Sequence, residues 1–348
     1  MRLLALAAAA ALTVASPVLA AEDLSAQQSG QVVDALVAGL NGYFDPAKAK
    51  TVQAALKGER KRLVAIHDRE QLAQALSAIT LKTSGDQHLK VSVTTASAQA
   101  PAMSDADQAL LDQRLAYGLM AVRRLPGNIG YLKLRYFEQT AAGAQIIEDA
   151  MGLLKHTDAL IIDLRENTGG GGASDERLLG HLSREPLTMA ALHWREPDGR
   201  ETVEQRKADV PASGPLYAGK PVYVLIANRT FSAAEEFAYD IQANKRGVLV
   251  GARSRGGGNP SNRPPAPLGF GLTVFVPNGQ AIHPLTGEGW EGVGVQPDVA
   301  TPAEGALTEA YRQALTAAKP LVSTPRSDKE RADAIADPAA ALTADQRL

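Results

Sequence analysis

The chain has 348 residues, with 36 Lys and Arg against 38 Asp and Glu, a formal net charge of −2 and no cysteine. That balance leaves no basic surface for nucleic acid, and the missing cysteine excludes disulfides, thiolate metal sites and a cysteine nucleophile. Its six histidines show no His-x-x-x-His or comparable spacing, so neither a metal nor a cofactor is expected.

Residues 1–20 read as a signal peptide. Arg2 supplies the positive start, residues 3–14 a short apolar core, and Val18-Leu19-Ala20 a small-residue cleavage site near Ala20. The apolar run is too short to span a bilayer and no later segment is longer, so the expected setting is periplasmic or secreted, with no membrane span. Residues 22–82 read as a small N-terminal helical domain. Apolar residues recur at helical spacing over 29–44, Asp45-Pro46 supplies a cap and a first-turn proline, and Leu72, Leu76 and Ile79 share a face of 68–81. Residues 83–93 alternate like a strand, which would project Asp86 and His88 to the same side. Residues 94 to about 112 have the composition of a loop.

From Asn128 the pattern becomes α/β. Strands are expected at 129–134, 159–164, 221–227 and 247–251, with helices at 141–155 and 233–243. Residues 271–276 and 280–283 look like a hairpin across Pro277-Asn278-Gly279. Strands alternating with helices imply a mainly parallel sheet over 83–322. Residues 323–348 read as a polar C-terminal tail or helix.

The most informative stretch is NRTFSAAEEFAY, residues 228–239. Ser232 stands between a buried strand and a helix, where a hydroxyl can be exposed beside the free amides of a helix start. Ser232-Ala-Ala-Glu235 also fits a capping box, in which the serine only satisfies those amides. Residues 163–172 read DLRENTGGGG, a buried strand running into four glycines whose amides can turn outward. They fit neither phosphate-loop pattern, which leaves an oxyanion site or a flexible loop. A carboxylate beside an imidazole, as in Asp86-Gln87-His88, can fix its tautomer and raise its basicity. Glu291, between Trp290 and Gly292, must be paired or functional if it is buried. His283, a rival base, precedes a proline in an evident turn.

Together these segments resemble the serine peptidases that include the C-terminal-processing (tail-specific) proteases, tricorn protease and the interphotoreceptor retinoid-binding protein. Six blocks follow the family's order: GDQHLKV, GNIGYLKL, ALIIDLRENTGGGG, TFSAAEEFAYDIQ, VLVGARSRGGGNP and WEGVGVQPD. The resemblance implies a crotonase/ClpP-like α/β core. It matches Ser232 to the nucleophile, and the amides of Ala233 and of Gly169 or Gly170 to the oxyanion hole. Where the processing proteases carry a basic lysine this chain has Gly257, and the GGGNP ending is similar to the tricorn-like branch. In that branch the base is a histidine, here His88, assisted by a late glutamate, here Glu291. Gln87 departs from the serine that precedes that histidine, which leaves Asp86 as an alternative partner for the ring. The implied function is an exported serine peptidase acting on unfolded or exposed polypeptides. A non-catalytic binder of a small apolar, retinoid-like ligand and an esterase are the alternatives.

Overall fold

The computed structural model describes residues 23–94 and 104–345. The signal-peptide reading of 1–20 and residues 95–103 of the expected loop lie outside them. Among the described residues no helix is long and apolar enough to cross a membrane.

Four helices come first: α1 (Ala26–Gly39), α2 (Pro46–Gly58), the short α3 (Arg60–Leu63) and α4 (Arg69–Ser84). Their starts follow from the side chains. Ser25 and Gln28 form a capping box, Asp45 accepts from two amides ahead of Pro46, and Asp68 accepts from the Gln71 amide. Helix α4 ends at Gly85, whose left-handed φ of 75° suits glycine.

The strand expected over 83–93 is shorter than its pattern. Helix α4 runs to Ser84, residues 85–89 form a turn, and β1 is only Lys90–Val93. The loop expected to about 112 is likewise replaced from Asp105 onward by a helix, α5 (Asp105–Arg114). Strand β2 (Leu119–Leu125) has no counterpart among the sequence expectations; its two arginines and half-exposed face hide the apolar signal. It forms an antiparallel hairpin with β3 (Ile129–Leu134).

Then follow α6 (Ala141–Leu154), β4 (Ala159–Asp163), α7 (Ala173–Gly180) and the short β5 (Leu187–Thr188). Next come β6 (Ala191–Arg195), β7 (Glu201–Glu204), β8 (Lys207–Ala208), β9 (Val222–Ile226) and α8 (Ala233–Ala243). The chain continues through β10 (Val248–Gly251), β11 (Ala266–Gly269), β12 (Leu272–Phe275), β13 (Gly279–Ile282) and β14 (Val299–Ala300). It closes with helices α9 (Ala306–Ala317), α10 (Pro325–Ala336) and α11 (Pro338–Asp345).

The central sheet has the order β14-β10-β9-β4-β3-β2 and is parallel except for β2. Strands β4 and β9 are buried at every residue, as expected where helices cover both faces. On one face Leu160, Ile162, Val224 and Ile226 join residues of α6, α7 and α8. On the other, Ile161, Tyr223 and Leu225 join residues of α9. A third core unites α1, α2 and α4 with Val91, Leu268, Leu272 and Val274 of the β1-β12-β11 sheet.

The hairpin across Pro277-Asn278-Gly279 does not form. Strand β12 pairs with β1 and β11, whereas β13 pairs with β6. Asn278 lies at the parting and is fully buried. Its amide group bonds Asn262 and Arg195, and its carbonyl accepts from Ser261 and Asn262. Those bonds tie the turn to two neighbouring loops, so the strands leave it in different directions.

Candidate active site

Two parallel strands deliver the centre of the site at their C-terminal ends. After β9, Thr230 Oγ1 donates to the Leu164 carbonyl at 2.8 Å, and the Phe231 amide donates to the Asn167 carbonyl at 3.1 Å. These bonds fasten the turn before α8 to the loop after β4. Ser232 then takes φ 57° and ψ −126°, a conformation a side-chain-bearing residue adopts rarely, and at a cost of about 1–3 kcal/mol. Its amide donates to Glu235 Oε2 at 2.9 Å, one half of the capping box. The Glu235 amide donates to the Ser232 carbonyl at 2.8 Å.

The glycine loop lies against this turn with positive φ at all four of Gly169, Gly170, Gly171 and Gly172. Two of these glycines are required by contact. A Cβ on Gly169 would lie 2.7 Å from Ser232 Cβ, and one on Gly170 would lie 2.0 Å from the Phe137 carbonyl oxygen. The alternatives left by the sequence separate here. The Gly169 amide is committed to Asn167 Oδ1 at 2.9 Å and the Gly171 amide to the Phe137 carbonyl at 3.1 Å. Among the described residues the Gly170 and Ala233 amides have no hydrogen-bond acceptor, and both line the same cleft as Ser232.

His88 comes from the N-terminal lobe and lines that cleft of about 390 Å³ together with Ser232. Its ring packs on Phe231 with centroids 4.4 Å apart. No direct hydrogen bond joins it to Ser232, and its Nδ1 is buried without a partner. Burial pushes the imidazole below its ordinary pKa, with the Asp86 charge opposing and the Arg255 charge assisting.

Glu291 Oε2 accepts from the Gly258 amide at 2.6 Å, while its Oε1 is buried and unpartnered. Burial, with the Asp86 charge next, pushes its carboxyl up to about 8. Asp86, His88 and Glu291 each bring a ligand atom within 4.8 Å of the others, so this trio is also the place where a divalent ion could be held.

Asp86 makes no hydrogen bond to the imidazole ring, although its charge opposes the lowering of the His88 pKa. Its Oδ1 accepts from the His88 amide at 2.8 Å and the Leu89 amide at 3.3 Å, which folds the turn. Its Oδ2 accepts from Tyr43 Oη at 2.8 Å and Asn259 Nδ2 at 2.9 Å. Both oxygens are thus occupied away from the ring, whereas Glu291 carries a buried unpartnered oxygen and the His88 ring a buried unpartnered nitrogen. His283 is fully buried elsewhere, with Nε2 3.2 Å from the Thr188 carbonyl.

Sequence reasoning missed three supports. Tyr43 and Asn259 hold Asp86 across the lobes, and Glu235 anchors the loop before Gly258 besides capping α8. Only the S-x-x-E spacing pointed at Glu235.

Gly257 explains how the histidine fits. A Cβ there would lie 2.2 Å from Phe231 Cε2 and 2.7 Å from His88 Cε1. A side chain at this position and the observed imidazole exclude one another. Gly257→Ala is expected to shift the His88 ring and to cost about 1–3 kcal/mol. Imidazole NMR resonances and urea unfolding test this; resonances and midpoint both unchanged would show that the ring is not confined as described.

The model of peptidase family S41 matches residues 128–301, a span holding Ser232, Glu291 and the glycine loop but not His88. The carboxy-terminal-processing protease of Bartonella bacilliformis is 30% identical over 221 residues, 58% of this chain and 46% of that protein. The chloroplastic carboxyl-terminal-processing peptidase 1 of Arabidopsis thaliana is 28% identical over 189 residues, 53% of this chain and 36% of that protein. The chain therefore spans less than half the length of these curated relatives. In fold it is similar to the tricorn protease, with TM-score 0.52 and 13% identity over 82% of this chain and 35% of that one. It is likewise similar to a lipoprotein from Streptococcus agalactiae, with TM-score 0.51 and 15% identity over 83% of this chain and 96% of that one.

Proposed function

The chain belongs to peptidase family S41, and from that premise we propose that it hydrolyses peptide bonds by acyl transfer through Ser232. The observation that carries this reading is the convergence on one cleft of Ser232, His88 and the two unengaged amides of Gly170 and Ala233. Ser232 Oγ attacks the carbonyl, His88 takes its proton, and the Gly170 and Ala233 amides stabilise the oxyanion. His88 then returns the proton to the leaving amine. Glu291 holds the Nδ1 side of the ring and stabilises the imidazolium that forms. Export to the periplasm or medium rests on the first twenty residues alone, and unfolded or exposed polypeptides are the substrates such a setting offers.

A fluorophosphonate probe tests the nucleophile. Labelling that maps to the peptide containing Ser232, together with fragmentation of casein, is the expected result. A folded protein that neither labels nor cleaves would overturn the reading.

The pH dependence has a definite sign. His88 is neutral at neutral pH because burial lowers its pKa, whereas Glu291 gives up its proton only near pH 8. The relay needs the ionised carboxylate. Cleavage efficiency is therefore expected to rise with pH through about 8 and then level off. In Glu291→Gln that rise should vanish and the plateau fall about 10²–10⁴-fold. Profiles of kcat/KM against pH for both proteins check this, and an identical rise in the variant would remove Glu291 from the relay.

A further inference from the structure

The end of the cleft beyond the glycine loop is acidic. Asp175 and Glu176 come from the first turn of α7, Glu236 from α8 and Glu204 from the end of β7, and all four line the cleft with Ser232. One cation stands among them, and it is already engaged. Arg206 donates from Nη1 to Glu236 Oε1 and from Nη2 to Glu176 Oε1, the latter at 3.2 Å. Glu204 Oε2 accepts from Trp194 Nε1 at 3.1 Å. Asp175 has no such partner. It is 1% exposed, and both of its carboxyl oxygens are buried without a hydrogen bond.

An unpaired buried carboxyl is costly to ionise, and in a native structure it calls for an explanation, a bound ion or ligand among them. Burial, with the Glu236 charge next, pushes the Asp175 carboxyl well above its ordinary range, so a cation entering beside it would favour its ionised form, and the other three carboxyls share one guanidinium. The lining also offers apolar surface at Leu192, Trp194 and Ala281, beside the polar Gln139, Ser261 and Asn262. A lysine or arginine side chain matches both halves, because its stem covers apolar surface while its head brings several donors. An acidic side chain would meet like charge. An aliphatic one would strip water from the carboxylates and replace it with nothing. The Arg206 charge is already shared between the Glu236 and Glu176 carboxylates, which weakens its pull on a substrate carboxylate.

We infer that this end of the cleft is a subsite for a cationic side chain, and that peptides bearing Lys or Arg on the acyl side of the scissile bond are the favoured substrates. The assignment of sides rests on the acyl-transfer reading: the carbonyl at the Gly170 and Ala233 amides places its own residue beside this wall. The cation preference itself does not depend on catalysis.

The test is therefore equilibrium binding to the Ser232→Ala protein. Labelled Ala/Ser peptides that differ at one central position, Lys, norleucine or Glu, are compared by fluorescence anisotropy. The Lys peptide is expected to bind about tenfold or more tightly than its norleucine counterpart, with Glu weakest, and the ratio should shrink as salt screens the pairing. Asp175→Asn should bring the Lys-to-norleucine ratio to near one. The surface pair Glu176→Gln with Glu204→Gln should do so in part, which guards against a folding defect in the buried variant. Equal binding of Lys and norleucine, no binding of the Lys peptide, or a ratio unchanged in both variants would overturn the inference. Serine-dependent cleavage after apolar residues alone would leave the peptidase reading standing and remove this one. Lys-selective binding by a protein that never labels at Ser232 would do the reverse.

Discussion

Casein cleavage is expected to fall by about four to six orders of magnitude in Ser232→Ala and in His88→Ala, and by no more when the two are combined. The hydroxyl and the imidazole act as one unit, so removing either ends acyl transfer and leaves only the oxyanion donors and binding. Stability separates this role from capping. A serine that served only as a helix cap would cost about 1 kcal/mol when replaced by alanine. Here the Glu235 amide is already bonded to the Ser232 carbonyl, so it keeps an acceptor when the hydroxyl is removed. Ser232→Ala is therefore expected to unfold within about 0.5 kcal/mol of wild type, as substitutions outside structural roles do. Activity assayed beside urea denaturation decides the matter. An inactive variant as stable as wild type supports the nucleophile, whereas an active variant that is about 1 kcal/mol weaker would make Ser232 a cap and nothing more.

The largest loss of stability is expected at Glu235. It is fully buried and accepts four hydrogen bonds: from the Ser232 amide at 2.9 Å, Ser254 Oγ at 2.5 Å, and the Gly256 and Gly257 amides at 2.6 and 2.8 Å. Burial pushes its carboxyl above the usual range, and those donors oppose the shift. The carboxylate thereby ties the strained turn of Ser232 to the separate loop of Gly256 and Gly257, against which the His88 ring packs. Glu235→Ala strands three amides and a hydroxyl in a dry site, at an expected cost of about 3–5 kcal/mol. Glu235→Gln keeps the shape but turns an N–H group toward other donors, so it should fall between the two. Cleavage by Glu235→Ala, measured well below its unfolding temperature, should also drop about a hundredfold, because small misplacements of reacting groups cost that much. A midpoint in urea close to wild type would show that the four bonds are not formed together.

Much of the fold was legible because its signals are local. Buried strands β4 and β9 appear as uninterrupted apolar runs, and α8 begins where a serine and a glutamate three residues on announce a helix start. The helices of the N-terminal lobe carry their own caps at Ser25, Asp45 and Asp68. What failed was non-local. The arginines of β2 look polar until β3 lies beside it, and Asn278 looks like a hairpin residue until its side chain is spent on two other loops. The alternation at 83–93 suggested a strand, but carboxylate-to-amide bonds from Asp86 turn the chain there before β1 begins.

The site divides in the same way. The sequence by itself determined which residue types lie at the ends of β4 and β9: four glycines, a serine, and the amide-rich start of a helix. Those follow from order along the chain, since parallel neighbours with crossover helices bring their C-terminal ends together. It also offered His88, Asp86 and Glu291 as partners by resemblance, without ranking them. Only the tertiary structure shows what hydrogen-bonding capacity each of them has left. His88 and Glu291 are 203 residues apart in the chain, and hydrogen-bond capacity in space, not spacing in sequence, distinguishes Glu291 from Asp86. Asp86 has spent both oxygens on Tyr43, Asn259 and its own turn. Glu291 keeps one buried oxygen without a partner, and the imidazole keeps a buried nitrogen without one. A buried polar atom must find a partner, and which partner remains open to it is a property of the packed chain.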